Sequence, residues 1–322
     1  MLDQIFAPIQ YQIARFETRL EEIMTASDVG GIQEMAYHVV KNRGRRFRPA
    51  LAFLTAQAVG ECSDAVIDAA VGVEIIQTAS LIHDDVIDNA ETRRGADVLH
   101  LKWGNRAAIL MGDFLFAKSM QVLVGLNSLQ VMNATTHAIQ RVVEGEILEG
   151  EISSSGEAAL YFRMINQKTA SLLALACELG AILGKGSPTQ IARMASFGSE
   201  IGVAFQITDD VLDLMGNTNN MGKPTGNDLR EKKLTLPLIR ALANCKNGEA
   251  DHIRNKVLNG VETGSDWREI KRFVRRYRGV EAAREEARSY AQSALKNLNA
   301  LHTSSARDAL ALAVQHVVER DQ

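Results

Sequence analysis

Residues 66–88 read VIDAAVGVEIIQTASLIHDDVID, a long, mostly apolar run that ends in a cluster of aspartates. The run is too long for a β-strand, and it lacks the alternation of apolar and polar residues that strands show. Residues 107–126 (AAILMGDFLFAKSMQVLVGL) and 170–184 (ASLLALACELGAILG) have the same character. Because each stretch is apolar around most of its circumference, all three predict buried helices of an all-α protein.

Outside these stretches, the chain also favours a large helical bundle. It has only five prolines, and none lies between Pro49 and Pro188, so long helices are permitted there. Segments rich in Gly, Ser and Asn predict loops at 153–158, 184–189 and 216–228. No Pro/Ser-rich linker or fixed-period repeat divides the chain, and we predict one domain over residues 1–322.

The composition argues against several functional classes. A formal net charge of -3 is not typical of a nucleic-acid binder. No uninterrupted apolar run reaches the length of a membrane span, and the start, MLDQIFAPIQ, lacks the features of a secretory signal. Cys62, Cys177 and Cys245 are far apart and odd in number, so a reducing, cytoplasmic location is expected.

Two acidic triplets lie inside apolar helices. The motif DDxxD occurs in SLIHDDVID (80–88) and again in AFQITDDVLDLM (204–215). Buried carboxylates that are close together repel one another and lose solvation, so they persist where a cation neutralises them. Two such helices facing each other would surround a cavity with hard oxygen ligands, which suits magnesium and substrate phosphates. The candidate metal ligands are Asp84, Asp85, Asp88, Asp209, Asp210 and Asp213.

Basic residues follow both motifs and also form a separate cluster. Arg93 and Arg94 come just after the first motif, and Lys223 and Lys233 come after the second. The segment NRGRRFRP (42–49) contains four arginines before a proline that predicts the start of a helix. Guanidinium groups match phosphate oxygens in shape and charge. The pattern therefore predicts a cation-bridged diphosphate site.

In this order the motifs resemble the trans-isoprenyl diphosphate synthases, also called the polyprenyl synthetase family, over nearly the whole chain. The resemblance is carried by HDDVID (83–88), the RRG after it (93–95), QITDDVLD (206–213) and GKPTGNDLREKKLTLP (222–237). The chain looks most like the long-chain octaprenyl and polyprenyl synthases. The resemblance implies a single large bundle of the isoprenoid synthase type with a central cavity, and a homodimer.

The resemblance also implies roles for the matched residues. Three magnesium ions per active site would be held by Asp84, Asp85, Asp88, Asp209 and Asp213, with support from Asp210. The allylic diphosphate would be bound by Arg93, Lys168 and Lys223, with Thr169 and Gln206 near the reacting carbons. The diphosphate of isopentenyl diphosphate would be bound by Arg45, Arg48 and Arg94, assisted by Gln77. Lys233 would close over the site.

Three positions depart from the family pattern. Arg45 stands where the family usually has a lysine, after Arg43-Gly44 in place of two glycines. Gln77 stands where many long-chain members have histidine, and Glu149 where they often have glutamine. These differences concern the details of substrate contacts.

The reaction implied is the head-to-tail (1'-4) condensation of isopentenyl diphosphate with an allylic diphosphate, either farnesyl or geranyl diphosphate. Ala79 and Ser80 lie about one helical turn before Asp84, where shorter-chain enzymes tend to have an aromatic floor. Because both are small, we expect a tunnel that ends at a more distant residue, with Phe116, Met120 and Leu123 as candidates. The expected product is a long all-trans chain, hexaprenyl to decaprenyl with octaprenyl favoured, and product release could involve peripheral membrane contact.

Other functions remain open from the residues alone. One is a farnesyl or geranylgeranyl diphosphate synthase. Another is a terpene cyclase, although a cyclase normally lacks a second DDxxD and usually lines its cavity with aromatics, which make up only 5% of this chain. A third is a non-catalytic prenyl-binding subunit, although such subunits typically lose one motif.

Overall fold

The apolar stretches at 66–88, 107–126 and 170–184 all lie in helices of the computed structural model. The structure describes residues 1–42, 44–215, 226–261 and 263–320, without the side chains of residues 153–155 and 300. The helices are α1 (Leu2–Phe6), α2 (Gln10–Thr25), α3 (Gly30–Lys41), α4 (Phe47–Val59), α5 (Asp64–Ile87), α6 (Leu99–Trp103), α7 (Asn105–Gly125), α8 (Leu129–Ser155), α9 (Ala158–Ile165), α10 (Ser171–Leu183), α11 (Pro188–Met215), α12 (Asn227–Arg230), α13 (Leu236–Asn244), α14 (Glu249–Asn259), α15 (Gly264–Arg276), α16 (Gly279–Asn297) and α17 (Ser305–Glu319).

Three short segments have other helical geometry. Ala7–Ile9 and Leu298–Ala300 are 3₁₀ helices, and Asn166–Ala170 is a π-helix. Two short strands, β1 (Thr92–Arg93) and β2 (Ala96–Asp97), pair antiparallel and form the single sheet within the described residues. The predicted all-α class is confirmed.

The chain forms two compact units. The first consists of Met1–Ile139, Leu172–Gly198 and Asn297–Ala313. The second consists of Gln140–Ser171 and the described residues of Ser199–Lys296 and Val314–Gln322. Each unit contains one of the two aspartate motifs. That one domain spans residues 1–322 stays a prediction.

In the first unit, α5 packs against α2, α4 and α7. Glycines bring α5 and α7 close together. A Cβ built at Gly112 of α7 would lie 2.2 Å from His83 Nε2, and one built at Gly72 of α5 would lie 2.7 Å from Leu123 Cγ. These contacts are eleven residues apart on both helices and run in opposite directions, so the two helices are antiparallel.

In the second unit, α13 packs against α9, α14 and α15. Its apolar side chains join a buried cluster that includes Tyr161, Ile207 and Phe273. Because α15 is strongly amphipathic, its charged face stays in water while Ile270, Phe273 and Val274 enter this core. The cluster holds the helix that carries the second aspartate motif, since Ile207, Val211 and Leu214 of α11 belong to it.

Two described helices, α5 and α7, are long and apolar enough to cross a membrane by length and composition. The sequence prediction of no such segment rested on uninterrupted apolar runs, and both helices contain interrupting polar residues. In α5, 67% of the apolar window is buried inside the protein, which is typical of a core helix. In α7 the buried share is 33%, so this helix has a large exposed apolar face.

Candidate active site

The first aspartate motif lies at the C-terminal end of α5. Asp85 is buried and accepts a 2.7 Å hydrogen bond from Arg93 Nε. Burial raises the pKa of Asp85, and the charge of Arg93 opposes that rise. Asp84 is half-buried and Asp88 is exposed, one helical turn apart. The motif therefore has one carboxylate paired with an arginine and two that are more open to solvent.

The RRG segment forms the turn of the small hairpin. Arg94 and Gly95 have φ values of 55° and 79°, and Arg93 pairs with Ala96 across the strands. Two successive positive φ values are typical of a type I′ two-residue turn, which favours glycine. The turn carries Arg93 back to Asp85, while Arg94 Nη1 donates to the Asn42 carbonyl at 3.0 Å. It thus links the first motif to the arginine-rich segment.

Two of the predicted isopentenyl-site arginines lie in different surroundings. Arg45 is exposed, whereas Arg48 Nε is buried and has no hydrogen-bond partner among the described residues. Burial lowers the pKa of Arg48; the charge of Glu74 opposes this effect, and the charge of Arg94 adds to it. The two neighbouring guanidinium groups, together with the buried Arg48 N–H donor that has no partner among the described residues, form a suitable site for an anion.

Arg46 has a different role from its neighbours. Its backbone is left-handed (φ 54°), and its guanidinium points into the protein. Nε and Nη2 donate to Glu17 at 2.7 and 3.0 Å, and Nη1 donates to Glu74 at 2.8 Å. This buried network ties the start of α4 to α2 and α5. Sequence reasoning missed it because the four arginines look alike as a cluster.

The chain-length candidates lie along the α5–α7 pair. His83 of α5 lies opposite Gly112 of α7. Because the two helices are antiparallel, Ala79, four residues before His83, is level with Phe116, four residues after Gly112. Ala79 is fully buried, and the Phe116 ring centroid lies 6.1 Å from that of His83. Met120, one turn further along α7, is half-buried, and so are Ser80 and Gln77 on α5.

The second motif lies near the C-terminal end of α11. Asp209 pairs with Arg320 at 2.5 Å, and the same guanidinium donates to the Phe205 carbonyl and lies 3.9 Å from the Phe205 ring centroid. The side chain of Arg320 is only 5% exposed. A residue near the end of the sequence thus holds the first aspartate of this motif, and no sequence signal pointed to it.

Asp210 is at the centre of a hydrogen-bond chain. Tyr161 donates to one of its carboxylate oxygens at 2.5 Å, and Gln206 Nε2 donates to the other at 2.9 Å. Thr169 in turn donates to Gln206 Oε1 at 2.8 Å. Burial raises the pKa of Asp210 to about 7, against the effect of these donors. Hydrogen bonds therefore join Thr169, Gln206 and Asp210, and Tyr161 is a partner that the sequence did not reveal.

Asp213 caps the short helix α12. Its carboxylate accepts backbone N–H bonds from Gly226, Asn227 and Asp228 at 3.2–3.3 Å. Burial raises the pKa of Asp213 and of Asp228, and the charges of Asp210 and Asp213 add to the effect on Asp228. Asp228 lies in the segment that resembles the family pattern, so that segment could have indicated it. The predicted residue Lys223 lies outside the described residues.

Lys168 lies in the π-helix and Lys233 follows α12. Lys168 Nζ is 2.7 Å from both Glu146 and Glu149, and Lys233 Nζ is 3.3 Å from Glu149 and 2.8 Å from Glu231. Both lysines line a cavity of the second unit together with Glu149, Tyr161, Thr169, Gln206, Asp210 and Asp228. The predicted allylic-site residues of this unit that the structure describes therefore share one cavity.

The aspartates provide ligands suited to magnesium but do not form a closed site. Within the described residues, no three His, Cys, Asp or Glu side chains are close enough together to hold a metal ion. Asp85, Asp209, Asp210 and Asp213 pair with groups described above, and Asp84 and Asp88 are more exposed to solvent than Asp85. Magnesium takes one or two carboxylates and completes its shell with water and phosphate oxygens, so this donor set fits it.

Comparison with known proteins gives a consistent result. The polyprenyl synthetase family profile matches residues 30–274. A short chain isoprenyl diphosphate synthase from Methanothermobacter thermautotrophicus is 36% identical over 88% of this chain and 89% of its own. The octaprenyl diphosphate synthase of Escherichia coli is 33% identical over 92% of both chains. The crystal structure of a decaprenyl diphosphate synthase from Rhodobacter capsulatus superposes with a TM-score of 0.93 at 32% identity, over the full length of both chains.

The family profile covers most of the chain, and these similarities extend over nearly all of it, including both aspartate motifs. The neighbouring structures also share the all-helical isoprenoid synthase fold. The chain is a member of the polyprenyl synthetase family.

Proposed function

We propose that this protein is a magnesium-dependent prenyltransferase that condenses isopentenyl diphosphate head-to-tail (1'-4) with an allylic diphosphate. The allylic substrate is farnesyl or geranyl diphosphate, and the product is an all-trans polyprenyl diphosphate, hexaprenyl to decaprenyl, with octaprenyl favoured. The octaprenyl and decaprenyl synthases among the similar proteins support a long product. The short-chain relative supports the alternative of a farnesyl or geranylgeranyl product.

The observation that carries the proposal is the pair of arginines, Arg48 and Arg94, in the first unit, together with the buried Nε of Arg48. Arg48 and Arg94 are like charges in partly desolvated positions, and Arg48 Nε has no partner among the described residues. Glu74 offsets part of their positive charge, and a bound diphosphate would satisfy the Arg48 donor and balance the remainder. A cyclase, which takes a single allylic substrate, has no need of this additional anion site.

The residues that would hold magnesium are Asp84, Asp85, Asp88, Asp209 and Asp213, with Asp210 supporting them. Bound magnesium supplies positive charge that stabilises the departing diphosphate. Tyr161 and Gln206 fix the orientation of Asp210, and α12 fixes that of Asp213 through backbone N–H groups.

Basic side chains of the protein also stabilise the negative charge of the departing diphosphate. Arg93 and Lys168 would donate to the allylic diphosphate as the C–O bond breaks and the bonding electrons leave with it. The double bond of isopentenyl diphosphate then attacks the allylic cation and forms the new C–C bond. A proton is lost to the released diphosphate. Thr169 and Gln206, already joined by a hydrogen bond, would lie beside the reacting carbons.

The test is a product assay with farnesyl diphosphate, radiolabelled isopentenyl diphosphate and magnesium. We expect incorporation of label into chains of hexaprenyl to decaprenyl length, and its loss when a chelator removes the metal. Products no longer than geranylgeranyl would overturn the long-chain assignment. Diphosphate release from the allylic substrate alone would indicate a cyclase, and no release would indicate a binding subunit.

We expect Ala79→Tyr to shorten the product, because Ala79 is fully buried and level with Phe116 between α5 and α7. A phenol ring there would close the path of the growing tail. Ala192→Tyr is the control, since Ala192 is an exposed alanine on α11. Product length is read by reversed-phase chromatography after dephosphorylation. An unchanged length in a folded Ala79→Tyr protein would contradict the tunnel.

Two further proposals concern the protein's surroundings. A homodimer is supported by the exposed apolar face of α7, which contains Ile109, Leu110 and Val124.

The protein is proposed to be cytoplasmic, with peripheral membrane contact limited to product release. Cell fractionation tests this location, and recovery of most of the protein in the membrane fraction would contradict it.

A further inference from the structure

A single carboxylate oxygen lies between two lysines of the second unit. Glu149 Oε2 is 2.7 Å from Lys168 Nζ and 3.3 Å from Lys233 Nζ. All three side chains are about four-fifths buried and line the same cavity. The two ammonium groups are therefore held as neighbours by one negative charge, which offsets their mutual repulsion.

The lysines have other partners on separate elements. Lys168 also pairs with Glu146 of α8, and Lys233 also pairs with Glu231, which follows α12. Neither of these other carboxylates contacts both lysines. If Glu149 lost its charge, the carboxylate that both lysines share would no longer offset the repulsion between the two ammonium groups.

We propose that Glu149 is a positioning residue that joins Lys168 and Lys233 into one binding unit for the diphosphate of the allylic substrate. This inference rests on the proposed function, which assigns Lys168 to that substrate, and on the expectation that Lys233 closes over the same site. It also accounts for the departure at this position: a carboxylate carries the charge needed to hold both ammonium groups, and a glutamine does not.

The electrostatics of the group agree with this arrangement. Burial alone would raise the pKa of Glu149, but the charges of Lys168 and Lys233 outweigh it and the pKa is lowered. For Lys168, burial acts to lower the pKa, and the charges of Glu149 and Glu146 outweigh it and raise the pKa. Glu149 and Lys168 are therefore both charged near neutral pH, and the contact between them is an ionic one.

The experiment compares Glu149→Gln with Glu146→Gln. Glu146 is one turn away on the same helix, equally close to Lys168 and equally buried, but it does not contact Lys233. We expect Glu149→Gln to raise the KM for farnesyl diphosphate about tenfold, as for loss of a charge-assisted contact. The KM for isopentenyl diphosphate should stay nearly constant. Glu146→Gln should change the farnesyl KM by about threefold or less.

A binding measurement separates this inference from the proposed function. Calorimetric titration with inorganic pyrophosphate should show weaker binding to Glu149→Gln than to Glu146→Gln, and Glu149→Asp should recover part of the loss. Equal effects of the two glutamine variants would overturn the inference, and so would tighter binding by Glu149→Gln. A wild-type protein that binds pyrophosphate but never elongates a prenyl chain would instead overturn the proposed function.

Discussion

At the scale of single residues, Tyr161 is the partner on which buried Asp210 depends. The hydroxyl donates to the carboxylate at 2.5 Å, and both side chains are almost fully buried. Tyr161→Phe keeps the ring but leaves one oxygen of Asp210 without its donor. We expect the free energy of unfolding to fall by about 1–3 kcal/mol, measured by urea denaturation.

The control for this prediction is Tyr11→Phe, since the Tyr11 ring is 67% exposed. Its change should stay within about 0.5 kcal/mol. If Tyr161→Phe were as stable as the wild type, Asp210 would not depend on this hydrogen bond.

Residue identity and spacing were sufficient to predict which side chains carry charge, but not where each of them points. Arg45, Arg46 and Arg48 form one cluster in the sequence, yet Arg46 turns inward to Glu17 and Glu74 while Arg45 is exposed. The cause is the left-handed backbone at Arg46, a conformation that non-glycine residues rarely adopt. Partners so far away in the sequence leave no local signal.

At the scale of elements, Gly145 allows α8 to approach the π-helix. A Cβ at this position would lie 2.3 Å from Lys168 N and 2.7 Å from Lys168 Cα. Because both are backbone atoms, Gly145→Ala must push the two helices apart and move Lys168. We expect a loss of stability of about 1–3 kcal/mol from overpacking, measured by chemical denaturation, together with a clear loss of activity.

The matched control lies on the same helix. A Cβ at Gly150 would have no atom within 4 Å. Since alanine favours helix over glycine by about 1 kcal/mol, Gly150→Ala should stabilise the protein. Changes of the same sign in both variants would contradict the close approach at Gly145.

Apolar periodicity was enough to predict the helices, whereas irregular segments depend on contacts that periodicity does not encode. The hairpin at residues 92–97 was not predicted, because two residues per strand are too few for an alternating pattern. The π-helix also differs from α-helix by one residue per turn and has no sequence signature of its own. In the structure it lies where Gly145 of α8 approaches the backbone of Lys168.

At the scale of the whole molecule, the exposed face of α7 should pair with a second copy. Leu110 and Val124 are 57% and 56% exposed and lie two heptads apart on one face. We expect a mass about twice that of the 35.2 kDa chain, measured by light scattering coupled to size-exclusion chromatography. Leu110→Glu should place an unpaired charge in that interface and shift the protein toward monomer.

Val29→Glu provides the control, because Val29 is 57% exposed but lies outside α7. It should leave the mass unchanged. A monomeric wild type, or a Leu110→Glu variant that keeps the doubled mass, would contradict pairing through this face.

Fold class and family could be predicted from the order of the motifs, because two aspartate triplets, each followed by basic residues, are a specific combination. The boundaries of the two compact units could not be predicted from the sequence. Each unit is assembled from three separate ranges of the chain, and the boundaries at residues 139 and 198 fall inside α8 and α11. No change in composition marks a boundary inside a helix.

The π-helix has an evolutionary consequence. It follows α9 without a break and contains both Lys168 and Thr169. A π turn differs from an α turn by one extra residue, so inserting or deleting a single codon would convert one into the other. Such an event would rotate the later residues by about 100° around the helix axis. Sequence alignments across this segment therefore need a one-residue gap wherever a relative keeps regular α geometry, and an ungapped alignment would match Lys168 to the wrong residue.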